Sequence, residues 1–391
     1  MAHITEINIE GLLGRTEPIH LKLNRGVNVF FGENGCGKTT LLKVLDAALD
    51  RDGAAMARLP VSKATVDIFS IEEGRVIRHS WDRGREQNRV STTVQVSDFH
   101  RRELLESVQL SDGRIIFRHD TPETQWKLSP SRRGRTNSRW AHTFLPTTRL
   151  YFNDVSGGRG QASERELDEA FSESINKAWL QYYTKTLTAV RGIQESGLRT
   201  VLWQVLSPEV EIGPNLPRDL DELYKRVANF LARQSGPAEF TLGSRTTFLR
   251  RYQKDANLRR VVDNLDDVER QIELSMVPID RFVETISKLF SRGKKLKITN
   301  NELQILLAND RAISISQLSS GEKHLIKILL LTMTAAKNSV IIDEPELSMH
   351  IDWQRIFVST LHSLNPECQL ILASHSPEIM ADLPDEYIFK L

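Results

Sequence analysis

The chain has 391 residues, 40% of them hydrophobic, enough to bury a large core and to form more than one subregion. Its 52 basic and 51 acidic residues nearly cancel, so overall charge speaks neither for nor against a nucleic-acid partner. Cys36 and Cys368 give no disulfide framework, the N-terminus "MAHITEINIEG" is no secretory signal, and the most apolar window, 325–336, is broken by Lys327 and too short for a bilayer; a cytoplasmic protein is expected.

In chain order, "ITEINIEG" and "PIHLKL" alternate as strands, and "GVNVFF" is a short apolar run of the kind buried inside a sheet. A glycine-rich turn follows. After it, "KTTLLKVLDAAL" places Leu41, Leu42, Leu45, Ala48 and Leu49 at helical spacing. From about 65 to 155 the pattern predicts strands, with a hairpin at Glu73-Gly74 and further strands in "GRIIFRHD" and "TRLYF". Residues 164–290 read as helical: Leu167, Phe171, Ile175 and Trp179 are four apart behind a Ser163 cap, and Pro217, Pro237 and Pro278 are expected to separate further helices. Leu258, Val261, Leu265, Val268 and Ile272 form a seam of barely two heptads, read as ordinary helix packing, with dimerisation through that helix as the alternative. Strand character returns at "KLKITNNELQILL". The expected divisions are 1–160, an N-terminal lobe; 161–292, a helical insertion; and 293–391, a C-terminal lobe.

The chemistry begins in the glycine turn. Gly32-Glu-Asn-Gly-Cys-Gly37-Lys38-Thr39 fits G-x-x-x-x-G-K-[ST] between a buried strand and a helix. Its backbone N–H groups, from Asn34, Gly35, Cys36, Gly37, Lys38, Thr39 and Thr40, are expected to converge on phosphate oxygens at the positive end of the helix. Lys38 supplies a cation to the β- and γ-phosphates, and the Thr39 hydroxyl suits Mg²⁺. In the C-terminal third, "SVIIDEPE" (339–346) is an apolar strand delivering Asp343 to a magnesium shell, with Glu344 placed to polarise a water. Upstream, "QLSSGEKHLIKILLL" opens an apolar helix after Gly321; downstream, "CQLILASHSPEI" is another apolar strand, ending at His375.

Together, the glycine loop, Leu318-Ser319-Ser320-Gly321-Glu322, Asp343-Glu344-Pro345 and His375 resemble, in order, the phosphate loop, signature motif, acid-tipped strand with catalytic glutamate, and switch histidine of ABC-class ATPases. "DEPELSMH" and "ASHSPEIM" look like the OLD, RecF and SMC-like branch rather than a transporter subunit, whose strand typically ends Asp-Glu-Pro-Thr. The resemblance covers roughly residues 1–50 and 295–391. It departs from the family at Ser320, Glu322 and Leu347-Ser348-Met349-His350, and Gln87, Gln95 and Gln125 compete for the family's Q-loop position.

The resemblance implies an α/β ATPase head, a mixed sheet around the phosphate loop with an inserted, mostly helical subdomain. It implies ATP and Mg²⁺ as ligands. It also implies a head-to-tail pair, or a higher oligomer, in which Lys38, Thr39 and Asp343 of one copy hold ATP–Mg²⁺ while Ser319 and Gly321 of the other cap the γ-phosphate. Glu344 would be the base and His375 would contact the γ-phosphate. The chain ends soon after His375, where OLD nucleases carry a Toprim domain, so a separate effector, a nuclease or toxin of bacterial anti-phage defence, is expected. The alternative is a DNA-repair ATPase binding DNA directly, for which Arg132, Arg133, Arg135 and Arg139, with Trp126 and Trp140, form a candidate phosphate-gripping, base-stacking loop. No membrane partner is expected.

Overall fold

The computed structural model describes residues 1–83, 140–146, 164–206, 220–234, 244–290, 293–299 and 302–391, together with the strands at 91–95, 108–109 and 115–116. Strands β1 (Ala2–Glu10), β2 (Ile19–Lys22) and β3 (Val27–Phe31) precede helix α1 (Lys38–Asp50) and the short α2 (Gly53–Arg58). Then come β4 (Lys63–Ser70), β5 (Arg75–Asp82), β6 (Ser91–Gln95), β7 (Val108–Gln109), β8 (Ile115–Ile116) and β9 (Thr143–Leu145). Four helices follow: α3 (Glu164–Leu206), α4 (Leu220–Gln234), α5 (Arg245–Lys254) and α6 (Ala256–Leu289). The chain closes with β10 (Lys295–Thr299), β11 (Glu302–Leu306), β12 (Ala312–Ile313), α7 (Ser320–Thr334), β13 (Ser339–Asp343), α8 (Ile351–Leu364), β14 (Gln369–Ser374), α9 (Pro377–Met380) and β15 (Ile388–Lys390).

This is an α/β fold with a helical insertion, and it divides into two compact units. One comprises 1–175, 285–297 and 304–391; the other comprises 176–284 and 298–303. The first unit holds a parallel sheet in the order β15-β3-β14-β13-β9 and an antiparallel sheet in the order β2-β1-β4-β5-β6-β8-β7. Strands β3, β13 and β14 read as apolar runs because the sheet buries them on both faces, and Val29, Ile341 and Leu372 are fully buried. One apolar stripe of α1 (Leu41, Leu42, Leu45, Ala48, Leu49) joins the core with Ile7, Ile9, Val66 and Ile68 of the antiparallel sheet. The two sheets are stitched by one buried amide. Gln369 of β14 accepts from the Ile4 N–H (2.9 Å) and donates to the Ile4 carbonyl (2.7 Å), where β1 slips register against β4. The predicted hairpin turns between β4 and β5, at residues 71–74.

In the second unit α3 and α6 lie against each other. Trp179 stacks on Phe282 at 5.9 Å, and a Cβ on Gly197 would come 2.2 Å from Val268 Cγ2, so only glycine allows this approach. The short seam of α6 is thus used within the chain: Val268 faces α3, and Leu258 and Leu265 pack on a cluster of Leu223, Val227, Phe248, Tyr252 and Val262. Pro278 does not separate two helices; it lies inside α6. The carbonyl it leaves unbonded belongs to Leu274, a residue 63% exposed, where water can take over. Pro217, Pro237, Ser163, the "TRLYF" strand, and Arg132, Arg133, Arg135 and Arg139 lie outside the described residues.

Trp140 is not a base-stacking platform. It is buried in the core, stacked on the His79 ring (4.9 Å), with the Arg51 guanidinium over the indole (4.7 Å). His142, two residues on, joins α1 through Asp46 (2.8 Å) and so anchors the start of β9. His79 donates from Nδ1 to the Ala48 carbonyl (2.9 Å); burial, then the nearby Arg51 charge, push its pKa down to about 3. An unfolded histidine titrates near 6.5, so unfolding takes up a proton at His79 as pH falls below that value, and the folded state loses stability from pH 6.5 downwards. His79→Gln should flatten the decline of the unfolding free energy from urea titrations between pH 6 and 4 by up to about 1.4 kcal/mol per pH unit. An identical decline in variant and wild type would contradict this.

Candidate functional site

The loop between β3 and α1 turns at Gly35 (φ 84°) and Gly37 (φ 105°), conformations that glycine adopts without strain. A Cβ on Gly37 would also meet Leu12 Cδ2 at 2.9 Å, so the loop sits tightly on the 3₁₀ turn after β1. No side chain caps α1, and its first-turn N–H groups face the loop. Asn34 and Gly35 are exposed at the rim, while Cys36, Thr39 and Thr40 are half-buried. Buried Lys38 donates from Nζ to the Gly32 (2.7 Å) and Glu33 (3.0 Å) carbonyls, curling the loop around its own cation.

Thr39 Oγ1 donates to Asp343 Oδ2 at 2.8 Å. The contact follows from strand order. β14 pairs in parallel with β3 on one side and β13 on the other, with Ser374 opposite Phe31 and Asp343 opposite Ala373. The glycine loop, Asp343-Glu344 and His375 therefore leave the sheet at the same carboxyl edge, where open parallel sheets bind ligands. A threonine hydroxyl beside a buried carboxylate is a hard-oxygen pair suited to Mg²⁺.

Glu344 is held at φ 51°, left-handed for a residue with a Cβ, with its N–H donating to the Ala373 carbonyl at 2.8 Å. Strain of this kind is retained where surrounding bonds over-determine it. Its Oε1 lies 3.9 Å from His375 Nδ1. The acid two residues later belongs to the same Asp-Glu-Pro-Glu motif, which by itself assigns it no role. Glu346 is buried and accepts at Oε1 from Ser374 Oγ (2.7 Å), His375 N (2.9 Å) and Ser376 N (3.2 Å), with His375 Nδ1 at 3.1 Å. Its signal in the sequence is the third acid of the run Asp343-Glu344-Pro345-Glu346.

Ser319 and Gly321 lie elsewhere in the bonding pattern. Ser319 caps α7 in a reciprocal box with Glu322, and Lys294 Nζ holds Glu322 at 2.8 and 3.0 Å. A Cβ on Gly321 would lie 2.3 Å from the Ser348 carbonyl oxygen, so this glycine lets α7 rest on the 344–349 loop. Nearby, burial and then the positive charge of Lys327 outweigh a bond to the Pro345 backbone and push His324 down to about 4. The unusual His350 caps α8, accepting from Asp352 N–H at 3.4 Å. Of the three glutamines considered for the Q-loop, Gln95 ends β6 in the antiparallel sheet, and Gln87 and Gln125 lie outside the described residues.

Residues 27–381 match the family described as "AAA domain, putative AbiEii toxin, Type IV TA system". The chain belongs to this AAA-domain family. A relative, the retron Vc95 probable ATPase of Vibrio cholerae serotype O1 biovar El Tor, is 32% identical over 133 residues, covering 30% of this chain and 25% of that protein. The chain thus spans about a quarter of the length of this curated relative. Among solved structures, the Smc head domain of Pyrococcus furiosus with an extended coiled coil, bound to the C-terminal domain of ScpA, is 14% identical over 97% of this chain and 92% of that one, with a TM-score of 0.43. The SMC head domain from Thermotoga maritima is 13% identical over 99% and 94%, with a TM-score of 0.44. In the helices described for this AAA-domain chain, none is long and apolar enough to cross a membrane.

Cys36 offers a probe that needs no substitution. Burial raises the Cys368 thiol to about 11, whereas Cys36 is half-exposed within the loop. A thiol reagent should modify Cys36 first, and ATP with Mg²⁺ should slow that modification in proportion to occupancy. Equal rates with and without saturating nucleotide would place the ligand elsewhere.

Proposed function

We propose that this chain binds ATP with Mg²⁺ and hydrolyses it in a head-to-tail pair of copies, and that the pair controls a separate effector in bacterial defence against phage. The observation that carries the reading is the Thr39–Asp343 bond at the mouth of the glycine loop, with Glu344 and His375 at the same sheet edge. On this reading the loop N–H groups and Lys38 take the phosphates, Lys38 exchanging its carbonyl partners for phosphate oxygens. Thr39 and Asp343 would hold Mg²⁺, which neutralises charge on the transferred phosphoryl group. A water oxygen orientated by Glu344 bonds to the γ-phosphorus, its proton passes to the Glu344 carboxylate, and the bond to the ADP oxygen breaks. His375 stabilises the γ-phosphoryl oxygens.

The second copy enters through α7. Its N-terminus, with Ser319 at the cap and Gly321 in the first turn, is a positive helix end suited to an anion, and Ser319 is bonded to Glu322 rather than to the glycine loop. Two such ends facing two glycine loops would make ATP the adhesive of a dimer that hydrolysis releases. The defence setting draws on the family's description as a putative toxin of a type IV toxin–antitoxin system and on the retron relative; the separate effector, a nuclease or toxin, is our inference. Direct DNA binding is the competing outcome: strong, salt-sensitive stimulation of turnover by DNA would favour it.

Two substitutions test the chemistry. Glu344→Gln should bind ATP and accumulate as a dimer while hydrolysis falls by about 10²–10⁴-fold; undiminished turnover would remove Glu344 from the base role. Lys38→Ala should weaken ATP binding by about tenfold or more, and unchanged affinity in calorimetry would remove Lys38 from the phosphate site.

A further inference from the structure

Glu346 carries more charge than its structural bonds require. Its Oε1 gathers every bond the carboxylate makes: the Ser374 hydroxyl, the N–H groups of His375 and Ser376, and His375 Nδ1 at 3.1 Å. Its Oε2 is buried and accepts no hydrogen bond from the described residues. A glutamine of the same shape would serve the three outer donors through its amide oxygen, and it would avoid burying an anion with one oxygen bare. What only a carboxylate adds is a charged acceptor for the imidazole. The surroundings fix that acceptor firmly: Ser376 Oγ donates to Gln354 Oε1 (2.7 Å), and Gln354 Nε2 donates to the Met349 carbonyl (3.1 Å), closing a ring around the acid.

We propose that Glu346 is the positioning residue of His375, its carboxylate holding the ring at Nδ1 and the main chain at the His375 N–H so that Nε2 is the nitrogen offered to the γ-phosphate. The inference rests on the ATPase reading above and names the device by which its histidine is aimed. With an anion behind the ring and the γ-phosphate in front, the imidazole donates in both directions, as a histidine does when a buried carboxylate orients it in a catalytic triad. Because Glu346 belongs to the loop on which Gly321 rests, the same acid ties the histidine of one nucleotide site to the helix that serves the other.

The test pairs a spectrum with kinetics. In ¹⁵N-histidine-labelled wild-type protein, with His375→Gln used to assign the signal, Nδ1 of His375 should be protonated; a bare Nδ1 with the proton on Nε2 overturns the proposal. In the kinetics, Glu346→Gln should lower kcat for ATP by on the order of tenfold to a hundredfold with little change in KM, as for other carboxylates that orient a functional histidine. His375→Ala should do the same, and the double variant should be scarcely worse than either single one. Losses that multiply in full, or a Glu346→Gln enzyme as active as wild type, also overturn it. If wild type does not hydrolyse ATP, the ATPase reading fails; if His375→Ala is fully active, the γ-phosphate role of His375 fails. In either case the tautomer still decides whether Glu346 holds the ring, because it needs no turnover.

Discussion

A single hydrogen bond, Thr39 Oγ1 to Asp343 Oδ2, joins positions 304 residues apart and ties the two ends of the chain into one site. It exists because β14 inserts between β3 and β13, so that the strand from the C-terminal third lies between the glycine-loop strand and the acid-tipped one. The pairing is parallel throughout, and the three strands end within one residue of one another, at Phe31, Ser374 and Asp343. A slip of one residue in β13 would turn Asp343 to the opposite face and destroy the oxygen pair. Buried Gln369, bonded to Ile4 and to the Ser339 hydroxyl (2.9 Å), helps to hold that register.

The loop leaving β13 is the second constraint. It contains two residues with side chains in left-handed backbone, Glu344 (φ 51°) and Ser348 (φ 63°), and it touches both α7, at Gly321, and the turn at His375, through Glu346. A segment so placed cannot shift at one end without disturbing the other. In the proposed head-to-tail pair the histidine would face one nucleotide and the N-terminus of α7 the second, so the loop would supply a physical link between two sites on one copy.

Much of this site was legible in the sequence because its signals are local. A glycine turn between a buried strand and a helix, and an apolar run tipped with two acids, each announce their geometry within ten residues. The misreadings have distant causes. Pro278 breaks no helix because exposed Leu274 leaves its carbonyl to solvent. Trp140 resembled part of a basic nucleic-acid loop, yet it fills the core against His79 and Arg51. Glu346 went unread since its partners, 28 to 30 residues on, meet it only when β13 and β14 pair. The seam of α6 was ambiguous for a related reason: nothing in its own spacing names Gly197 as the surface that it packs against.

The proposed machine stands or falls on whether each nucleotide is shared by two copies. Mixing two inactive variants measures this directly: Lys38→Ala, with its glycine loop disabled, and Ser319→Asp, which keeps a capping oxygen on α7 but sets a negative charge against the phosphate. In a shared-site dimer, the mixed pair contains one intact combination of loop and signature helix, and ATPase activity should reappear on mixing. Activity that stays at the level of the separate variants, with mixed dimers shown to have formed, would mean that each copy works alone.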